Sequence, residues 1–369
     1  MDRSKWEYKK LGEVCNLYQP KTISSDMLIP DGKYLVYGAN GIIGKYNEYN
    51  HENSEVLMTC RGATCGTINV SAPYSWINGN AMVVHPRIND LSAQFLVYQL
   101  KAADKTSVIT GAAQPQITRQ MLQTLPFIVA PIADQQRIVA ELDCLNEMIA
   151  LKQEQLKEFD KLAQSIFYDM FGKGCSQQQW EYTTIGNISE EVKYGTSSPA
   201  TPNGRYKYLR MNNMTNDGYL DLSDLKYIDV AANDYEKYVV RKGDVLFNRT
   251  NSRELVGKTA LFNYDEEMII AGYIIRVRLK TTADPCFVVR YMNLPEQKDY
   301  LRGLCRGAIG QANINAKELQ AIPIPLPPLA LQQQFAEKIQ AIEAQKELVK
   351  KSIAETQHLL DSRMDYYFD

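Results

Sequence analysis

The sequence WEYKKLG at residues 6–12 returns as WEYTTIG at residues 180–186. A second matched region closes each copy, since residues 114–136 return as residues 311–333, a constant 197 positions later. Both versions hold a glutamine or asparagine before isoleucine, a Leu-Pro or Ile-Pro pair, a further proline and a Gln-Gln pair. The tryptophans are only 174 positions apart, so the middle of the second copy has 23 extra residues. Similar ends around different middles predict a duplicated scaffold with two different recognition surfaces, the alternative being an old duplication without functional meaning.

Length and composition are typical of a large soluble protein. The chain has 369 residues, 45% of them apolar, which is enough for two hydrophobic cores and two or more domains. No apolar run approaches the roughly 20 residues of a membrane span, and the first residues lack the apolar segment of a signal peptide. The seven cysteines are odd in number and form no C-x-x-C pair. We therefore expect a cytoplasmic protein with reduced thiols, without disulfides or a zinc site.

The net charge of −2 argues against a protein that coats nucleic acid through charge alone. Residues 126–172 carry 4 basic and 8 acidic side chains, and residues 326–369 carry 5 and 7. The remaining chain is slightly basic, with 32 basic and 28 acidic side chains. This distribution permits contact between the globular parts and nucleic acid but does not demonstrate it.

Each copy ends in a segment whose apolar residues recur at alternating steps of four and three. The first series is Ile138, Leu142, Leu145, Ile149, Leu156, Phe159, Ala163, Ile166 and Met170; the second is Phe335, Ile339, Ile342, Val349, Ile353 and Leu360. Polar residues interrupt them at Lys152, Lys346 and Thr356. A period of 3.5 residues over four heptads predicts a coiled-coil helix, and the prolines before each series mark its start.

Two helices of equal length in one chain most simply pair with each other. A 40-residue helix is roughly 60 Å long. Because a globular region separates the two helices in sequence, the pair can run antiparallel with one globular region at each end. The alternative is that each helix packs on its own globular region. Lys152 and Lys346 either set the register of the pair or mark where another subunit docks.

The globular regions read as mixed α/β, with short strands as the clearest signal. Predicted strands are residues 56–60, 66–70 and 81–84 in the first copy and residues 244–248, 257–262 and 271–277 in the second. Short helices are expected around residues 91–101 and 286–298. Arg61 and Arg249 each follow the first of these strands, and we interpret them as equivalent positions at the start of hairpin loops of different length.

Taken together, these features resemble the specificity subunit of type I restriction–modification enzymes, over essentially the whole chain. The residues that carry the resemblance are the W-E-Y-x-x-[LI]-G openings, Gln114 to Ile117 and Gln311 to Ile314, the Leu-Pro or Ile-Pro pair, the proline turn, the Gln-Gln pair and the heptad helix. The resemblance implies an α+β fold with a pseudo-two-fold repeat. In it, two mixed α/β target-recognition domains are joined by two long helices that form an antiparallel coiled coil. The expected divisions are target-recognition domains at residues 1–125 and 180–322, a proline turn and helix at 126–172 and 323–369, and a linker at 173–179.

The same resemblance implies partners and a division of labour. Each target-recognition domain would read one half of a bipartite sequence in double-stranded DNA, while the helices set the spacing and dock two methyltransferase (modification) subunits. Restriction/translocase subunits would complete the complex. S-adenosylmethionine, ATP and Mg would be bound by these partners and not by this chain. The expected partner-binding residues are Gln135, Gln136, Lys152, Gln332, Gln333 and Lys346. The acidic residue before Gln135, Asp134, is replaced by Leu331 in the second copy, so identical partner contacts in both copies are in doubt.

Reading base edges requires amides and guanidinium groups that make bidentate hydrogen bonds, with lysine and hydroxyl side chains on phosphates. Such side chains stand in or near predicted loops of both copies, although an ordinary solvated surface would contain them too. In the first copy they are Asn40, Lys45, Tyr46, Arg61, Thr64, Asn78, Gln114 and Gln116, and in the second they are Arg210, Asn212, Asn213, Arg249, Asn251, Arg253, Lys258, Gln311 and Asn313. Arg61 and Arg249 are the strongest candidates among them.

The sequence contains no complete catalytic motif. SRELVGKT at residues 252–259 and GANGIIGK at residues 38–45 both fail the phosphate-loop pattern. The three histidines are far apart, and the Asn/Asp-Pro-Pro-aromatic segment of adenine methyltransferases is absent. We therefore expect a DNA-recognition subunit without catalysis or a bound metal of its own. The alternative from another class is a coiled-coil scaffold that joins two non-DNA partners.

Overall fold

The computed structural model describes residues 3–111, 114–173, 180–252, 254–305 and 312–369. Its contacts divide the chain into two compact units. The first unit holds the described residues up to Gln153 together with Lys350–Asp369, and the second holds Glu154–Val349. Each unit therefore contains one globular region and a part of both long helices.

The first unit is built on two small sheets. An antiparallel four-stranded sheet has the order Cys15–Tyr18, Ala81–Pro86, Val56–Thr59, Ile68–Val70, and a three-stranded sheet has the order Gly41–Tyr46, Tyr34–Gly38, Trp76–Ile77. Two strand pairs join Glu7–Lys10 to Pro126–Val129 and Ile109–Thr110 to Gln116–Ile117. The helices are Leu11–Val14, Ala93–Ala102 and Arg119–Leu122, with 3-10 turns at Arg3–Lys5 and Ser25–Met27.

The second unit repeats this plan, with one more strand in its second sheet. One antiparallel sheet has the order Ser189–Tyr194, Ile274–Leu279, Val245–Asn248, Thr259–Leu261, and the other has the order Lys226–Ile228, Tyr206–Leu209, Met268–Ile270, Val239–Val240. Two strand pairs join Tyr182–Thr184 to Pro323–Pro325 and Thr250–Asn251 to Ala312–Asn313. The helices are Ala232–Tyr238, Pro285–Met292, Pro295–Leu304 and Ala316–Gln320, with a 3-10 turn at Met211–Asn213. The fold is therefore α+β, as the sequence predicted.

The repeated sequence motifs have equivalent structural roles. In each unit the strand that follows the tryptophan pairs with the strand that precedes the proline turn, which brings the two ends of the globular region together. The predicted strands are confirmed, with ends that differ by at most three residues. The predicted helix at 286–298 is instead two helices, divided at Asn293–Leu294. Pro295 explains the break, because proline lacks an N–H for the preceding turn and fits the first position of a new helix.

The two long helices span Ile132–Phe171 and Leu329–Phe368, 40 residues each. In the first unit, Glu141 pairs with Arg363 and accepts a hydrogen bond from the Tyr367 hydroxyl at 2.6 Å, and Lys152 Nζ donates to Thr356 Oγ1 at 2.8 Å. Later positions of the first helix thus contact earlier positions of the second.

The second unit shows the same reversed order between the two helices. Lys346 Nζ lies 2.6 Å from Asp160 Oδ1, and the rings of Phe167 and Phe335 have centroids 5.4 Å apart.

Within the described part of the chain, no helix is both long enough and apolar enough to cross a bilayer.

Burial along the helices agrees with most of the predicted heptad positions. The buried ones are Ile138, Leu142, Leu145, Ile149, Ala163, Phe335, Ile339, Ile342 and Leu360, while the other predicted positions are half-buried. Near the end of the first helix the pattern shifts by one residue. Phe167 and Phe171 are buried there, and not the predicted Ile166 and Met170. The reason is an aromatic cluster in the second unit, in which both rings pack against Phe287 and Phe335.

Candidate nucleic-acid interface

A hairpin at the edge of the main sheet carries the strongest candidates in each unit. It turns back at Gly66 in the first unit and at Gly257 in the second, with φ of +86° and +80°. These angles favour glycine, since a Cβ atom is strained in the left-handed region. The connection between the two strands has eight residues, 60–67, in the first unit and ten, 249–258, in the second, and this difference gives the two hairpins different surfaces.

Arg61 and Arg249 are not equivalent positions, which corrects the interpretation from sequence. Ile117 and Ile314 are matched positions of the two copies. Ile117 N donates to the backbone carbonyl of Cys60, whereas Ile314 N donates to the backbone carbonyl of Arg249. Arg61 is bridged to Gln116, while the matching partner of Asn313 is Thr250. The two arginines are therefore offset by one residue. In extended chain, such an offset places side chains on opposite faces.

Four of the first-unit candidates come together around this hairpin. The bridge between Arg61 and Gln116 places these two exposed side chains side by side, and Gly62 N donates to the carbonyl of Pro115 at 3.0 Å. Thr64, in the hairpin loop, and Gln114, just before the bridged strand, are also exposed. A guanidinium, two amides and a hydroxyl thus share one exposed edge, which suits contacts to base edges and phosphates.

The other first-unit candidates differ in their surroundings. Asn40 is exposed in the turn between two strands, where its Oδ1 accepts from Asn69 Nδ2 at 3.4 Å. Lys45 is exposed on the strand Gly41–Tyr46, which follows this turn. Tyr46, at the end of the strand, packs its half-buried ring against Trp76. Asn78 is buried and is not available for DNA. Its amide accepts from the backbone N of Ile23 and from Trp76 Nε1, and donates to the carbonyl of Ile23.

In the second unit, Arg210, Asn212 and Arg249 line one open cavity of about 560 Å³. Lys226 and Tyr273 line it as well. Three cations, an amide and an exposed aromatic ring around one opening form a site suited to an anionic, ring-bearing ligand such as a nucleic acid. The structure therefore brings together candidates that lie 39 residues apart in sequence.

The two arginines in this cavity are held in place but only partly satisfied. Arg249 stacks on the Tyr194 ring, with Cζ 4.9 Å from the centroid, and Arg210 Nη2 donates to Asp224 Oδ2 at 2.9 Å. In both side chains the Nε atom is buried without a hydrogen-bond partner among the described residues. An unpaired buried donor is costly, by roughly 1–3 kcal/mol.

The remaining second-unit candidates range from buried to exposed. Asn213 is buried and its amide holds the backbone of Arg210, Asp221 and Asp224, so it is not a DNA contact in this structure. Lys258 is half-buried and donates to the carbonyl of Met214 at 3.0 Å; burial lowers its pKa. Asn251 accepts from the backbone of Ser252, and exposed Asn313 accepts from Thr250 Oγ1 at 3.0 Å. Arg253 and Gln311 lie outside the described residues.

Sequence reasoning missed several side chains at this site. Tyr194 and Tyr273 are exposed beside the arginines. Lys226 lines the cavity, and Lys298 lies behind the hairpin, with its Nζ donating to the carbonyl of Gly257 at 2.7 Å. Burial, together with repulsion from Lys258 and Arg302, lowers the pKa of Lys298 to about 7. Tyr273 lies within the predicted strand 271–277 and Tyr194 lies in none of the predicted strands, so no signal in the sequence singled them out.

The predicted partner-binding residues divide into buried and exposed ones. Gln135 and Gln332 are fully buried, and each amide ties the helix start to its own unit. They accept from the backbone N of Ser92 and Asp284, both at 2.9 Å, and donate to carbonyls of the proline turn. Lys346 is buried as well, so none of these three presents a surface to a partner. Gln136 and Gln333 are exposed, and Lys152 is half-buried.

Within the described parts of the chain, no group of three or more His, Cys, Asp and Glu side chains could hold a metal ion. The thiols of Cys15 and Cys60 are buried, which raises their pKa to about 12 and about 11 and keeps them protonated near neutral pH.

Comparisons with known proteins agree on one family. The model of the type I restriction modification DNA specificity domain matches residues 3–160 and 177–358. The EcoKI specificity subunit of Escherichia coli is 20% identical over 265 residues, which cover 67% of this chain and 57% of that subunit. The MjaVIII specificity subunit of Methanocaldococcus jannaschii is 22% identical over 381 residues, covering 94% and 88%.

A solved S subunit of a type I restriction–modification system from M. genitalium has the same fold, with a TM-score of 0.56. It is 13% identical, and the match covers 99% of this chain and 96% of that one. The chain spans only 38% and 57% of the length of two curated relatives, the second being the EcoKI subunit. Two matches of the same domain model nevertheless cover most of the sequence. The chain belongs to the type I restriction–modification DNA specificity family.

Proposed function

We propose that this chain selects the DNA sequence on which a type I restriction–modification complex acts. The observation that carries the proposal is the cavity of the second unit, where Arg210, Asn212 and Arg249 line one opening. Guanidinium and amide groups are those that discriminate base pairs in the major groove. In the first unit, Arg61, Thr64, Gln114 and Gln116 would form the corresponding surface on the hairpin. Each globular region would read one half of a bipartite target in double-stranded DNA.

The long helices would form an antiparallel coiled coil that sets the distance between the two half-sites. The contacts of Glu141 with Arg363 and of Asp160 with Lys346 support this arrangement, because both follow the reversed order of an antiparallel pair. Buried polar residues in such a seam specify register. Lys346 with Asp160 and Lys152 with Thr356 would have this role.

Two methyltransferase subunits would dock on the exposed faces of the helices near Gln136 and Gln333. They would bind S-adenosylmethionine and flip one adenine per half-site out of the duplex. ATP, Mg and DNA cleavage would belong to restriction/translocase subunits. This chain would be non-catalytic and would supply discrimination and geometry.

The test is the salt dependence of DNA binding by the chain in complex with its methyltransferase subunits. Phosphate contacts release counterions, so two or more of them predict an affinity that falls by at least about tenfold between 50 and 200 mM salt. A scaffold that joins two non-DNA partners predicts a flat response. A flat response from a folded complex would therefore contradict the proposal.

A further inference from the structure

One connection between strands differs greatly between the two units. The strand Tyr34–Gly38 of the first unit is equivalent to the strand Tyr206–Leu209 of the second. Each pairs in parallel with a short strand, Trp76–Ile77 or Met268–Ile270. That short strand is followed in sequence by a strand of the main sheet, Ala81–Pro86 or Ile274–Leu279. The next strands after Tyr34–Gly38 and Tyr206–Leu209 are Gly41–Tyr46 and Lys226–Ile228, which pair with them in antiparallel fashion. The intervening connection has two residues in the first unit and sixteen, residues 210–225, in the second. It accounts for more than half of the 23 extra residues of the second copy.

The beginning of this long connection lines the candidate DNA cavity. Arg210 and Asn212 contribute to the cavity wall. The buried amide of Asn213 closes the connection on itself, since it accepts from Arg210 N at 2.9 Å and donates to the carbonyls of Asp221 and Asp224 at 2.9 and 3.1 Å. Lys258 Nζ, from the hairpin, donates to the carbonyl of Met214. The connection is therefore a closed loop that is fastened to the hairpin.

The middle of the same loop contacts the long helices. The hydroxyl of Tyr219 donates to Glu343 and accepts from Arg290 Nη2 at 2.6 Å and from Lys346 Nζ at 3.0 Å. The ammonium of Lys346 also lies over the Tyr219 ring, 4.3 Å from its centroid, and pairs with Asp160 of the other long helix. One side chain of the loop thus joins a network that includes both helices.

The first unit has the helix contact without the loop. The backbone N of Ser92 donates to Gln135 in the first unit, and the backbone N of Asp284 donates to Gln332 in the second. Ser92 and Asp284 are therefore equivalent positions. Tyr98 and Arg290, each six residues further along the chain, are equivalent as well. Tyr98 OH accepts from Asn146 Nδ2 at 3.0 Å. Asn146, on the first long helix, is the residue equivalent to Glu343 on the second. The two-residue turn of the first unit, Ala39–Asn40, holds no side chain comparable to Tyr219.

We propose that the loop at residues 210–225 is a brace that fixes the recognition cavity of the second unit relative to the long helices, with Tyr219 as its positioning residue. The inference rests on the proposed function. Adjacent base pairs are about 3.4 Å apart along DNA, so a displacement of that size at the cavity changes which spacer length fits. A brace of hydrogen-bonded and stacked charges in a partly buried site resists such a displacement. The brace therefore restricts the number of base pairs allowed between the half-sites.

The test compares Tyr219→Phe with Tyr98→Phe in the complex with methyltransferase subunits. Tyr219→Phe keeps the ring under the cations and the Arg290–Glu343 ion pair, so it removes only the hydroxyl contacts. The substrates share one pair of half-sites and differ in spacer length by up to two base pairs in either direction. Methylation of the spacers one base pair too long or too short should rise about fivefold relative to the correct spacer, the ratio expected for loss of the net contribution of the half-buried hydroxyl contacts. Base preferences within each half-site should not change, and Tyr98→Phe should keep the wild-type spacer profile.

Several outcomes would overturn the brace. An unchanged spacer profile in Tyr219→Phe, or an equal loss of methylation at every spacer length, would show that Tyr219 has no positioning role. Glu343→Gln serves as a second variant and should broaden the spacer profile in the same direction. A wild-type complex that methylates without any spacer preference would instead contradict the proposed function itself.

Discussion

Arg249 is the residue at which the proposed recognition can be tested most simply. Its guanidinium lines the cavity and stacks on Tyr194. We expect Arg249→Ala to weaken binding of the specific duplex by about 1–3 kcal/mol, the value of one bidentate base contact. Arg249→Lys should recover little of this loss, since lysine keeps the charge without the planar fork. The measurement is the Kd for the target duplex in a fluorescence titration.

Arg241 provides a matched control for that experiment. It belongs to the same unit, and ion pairs with Glu236 and Glu267 satisfy its guanidinium away from the cavity lining. Arg241→Ala should leave the Kd within about twofold of wild type. An equal effect of both alanine variants would mean that Arg249 acts through general charge, which would contradict a base-reading role.

Lys298 gives a prediction about pH. Its pKa is lowered to about 7 in the folded chain, against about 10.4 when unfolded. Between these values the unfolded state binds more protons, so this residue makes stability rise as the pH rises from 7 toward 10. Replacement by methionine removes the titrating group. We expect wild type to gain more stability than Lys298→Met between pH 7 and pH 9 in urea denaturation, and parallel pH profiles would contradict the lowered pKa.

At the scale of elements, the start of each long helix depends on a buried glutamine. Gln135 and Gln332 make the same hydrogen bonds in the two units. Gln135→Met and Gln332→Met should each lower the free energy of unfolding by roughly 1–3 kcal/mol, because buried backbone groups lose their partners. Thermal or urea denaturation of each variant measures this.

The exposed neighbours Gln136 and Gln333 separate stability from docking. Gln136→Ala and Gln333→Ala should change stability by less than about 0.5 kcal/mol, yet reduce copurification with the methyltransferase subunits. If the buried variants alone reduced copurification while remaining folded, the proposed docking surface would be wrong.

Periodicity explains which elements could be predicted from the sequence. The heptad series predicted both long helices, and short apolar runs between turn residues predicted the main strands. The one-residue offset between Arg61 and Arg249 could not be predicted, because the register follows from strand pairing and not from the order of similar residues. The burial of Asn78 and Asn213 was missed for a related reason, since amides are favoured both on DNA-binding surfaces and in closed turns. The Tyr219 contact depends on tertiary placement of a loop without periodicity.

At the scale of the whole molecule, the two copies differ where they would read DNA and agree where they would meet common partners. The strand pairs and helix starts repeat in both units, whereas the hairpin loops and the connection at residues 210–225 do not. This distribution is expected of a protein that recognises two different half-sites with one scaffold. A protein that joins two non-DNA partners has no comparable reason to keep equal helices and vary only loops.

The most direct test of this account is a map of N6-methyladenine across the host genome, made with the wild-type gene, without it and with Arg249→Ala. We expect deletion to abolish methylation of one split motif, two short half-sites with a fixed gap, and Arg249→Ala to relax the sequence of one half only. A map that does not change on deletion, in cells where the chain copurifies with an active methyltransferase, would contradict the claim that this chain chooses the DNA target.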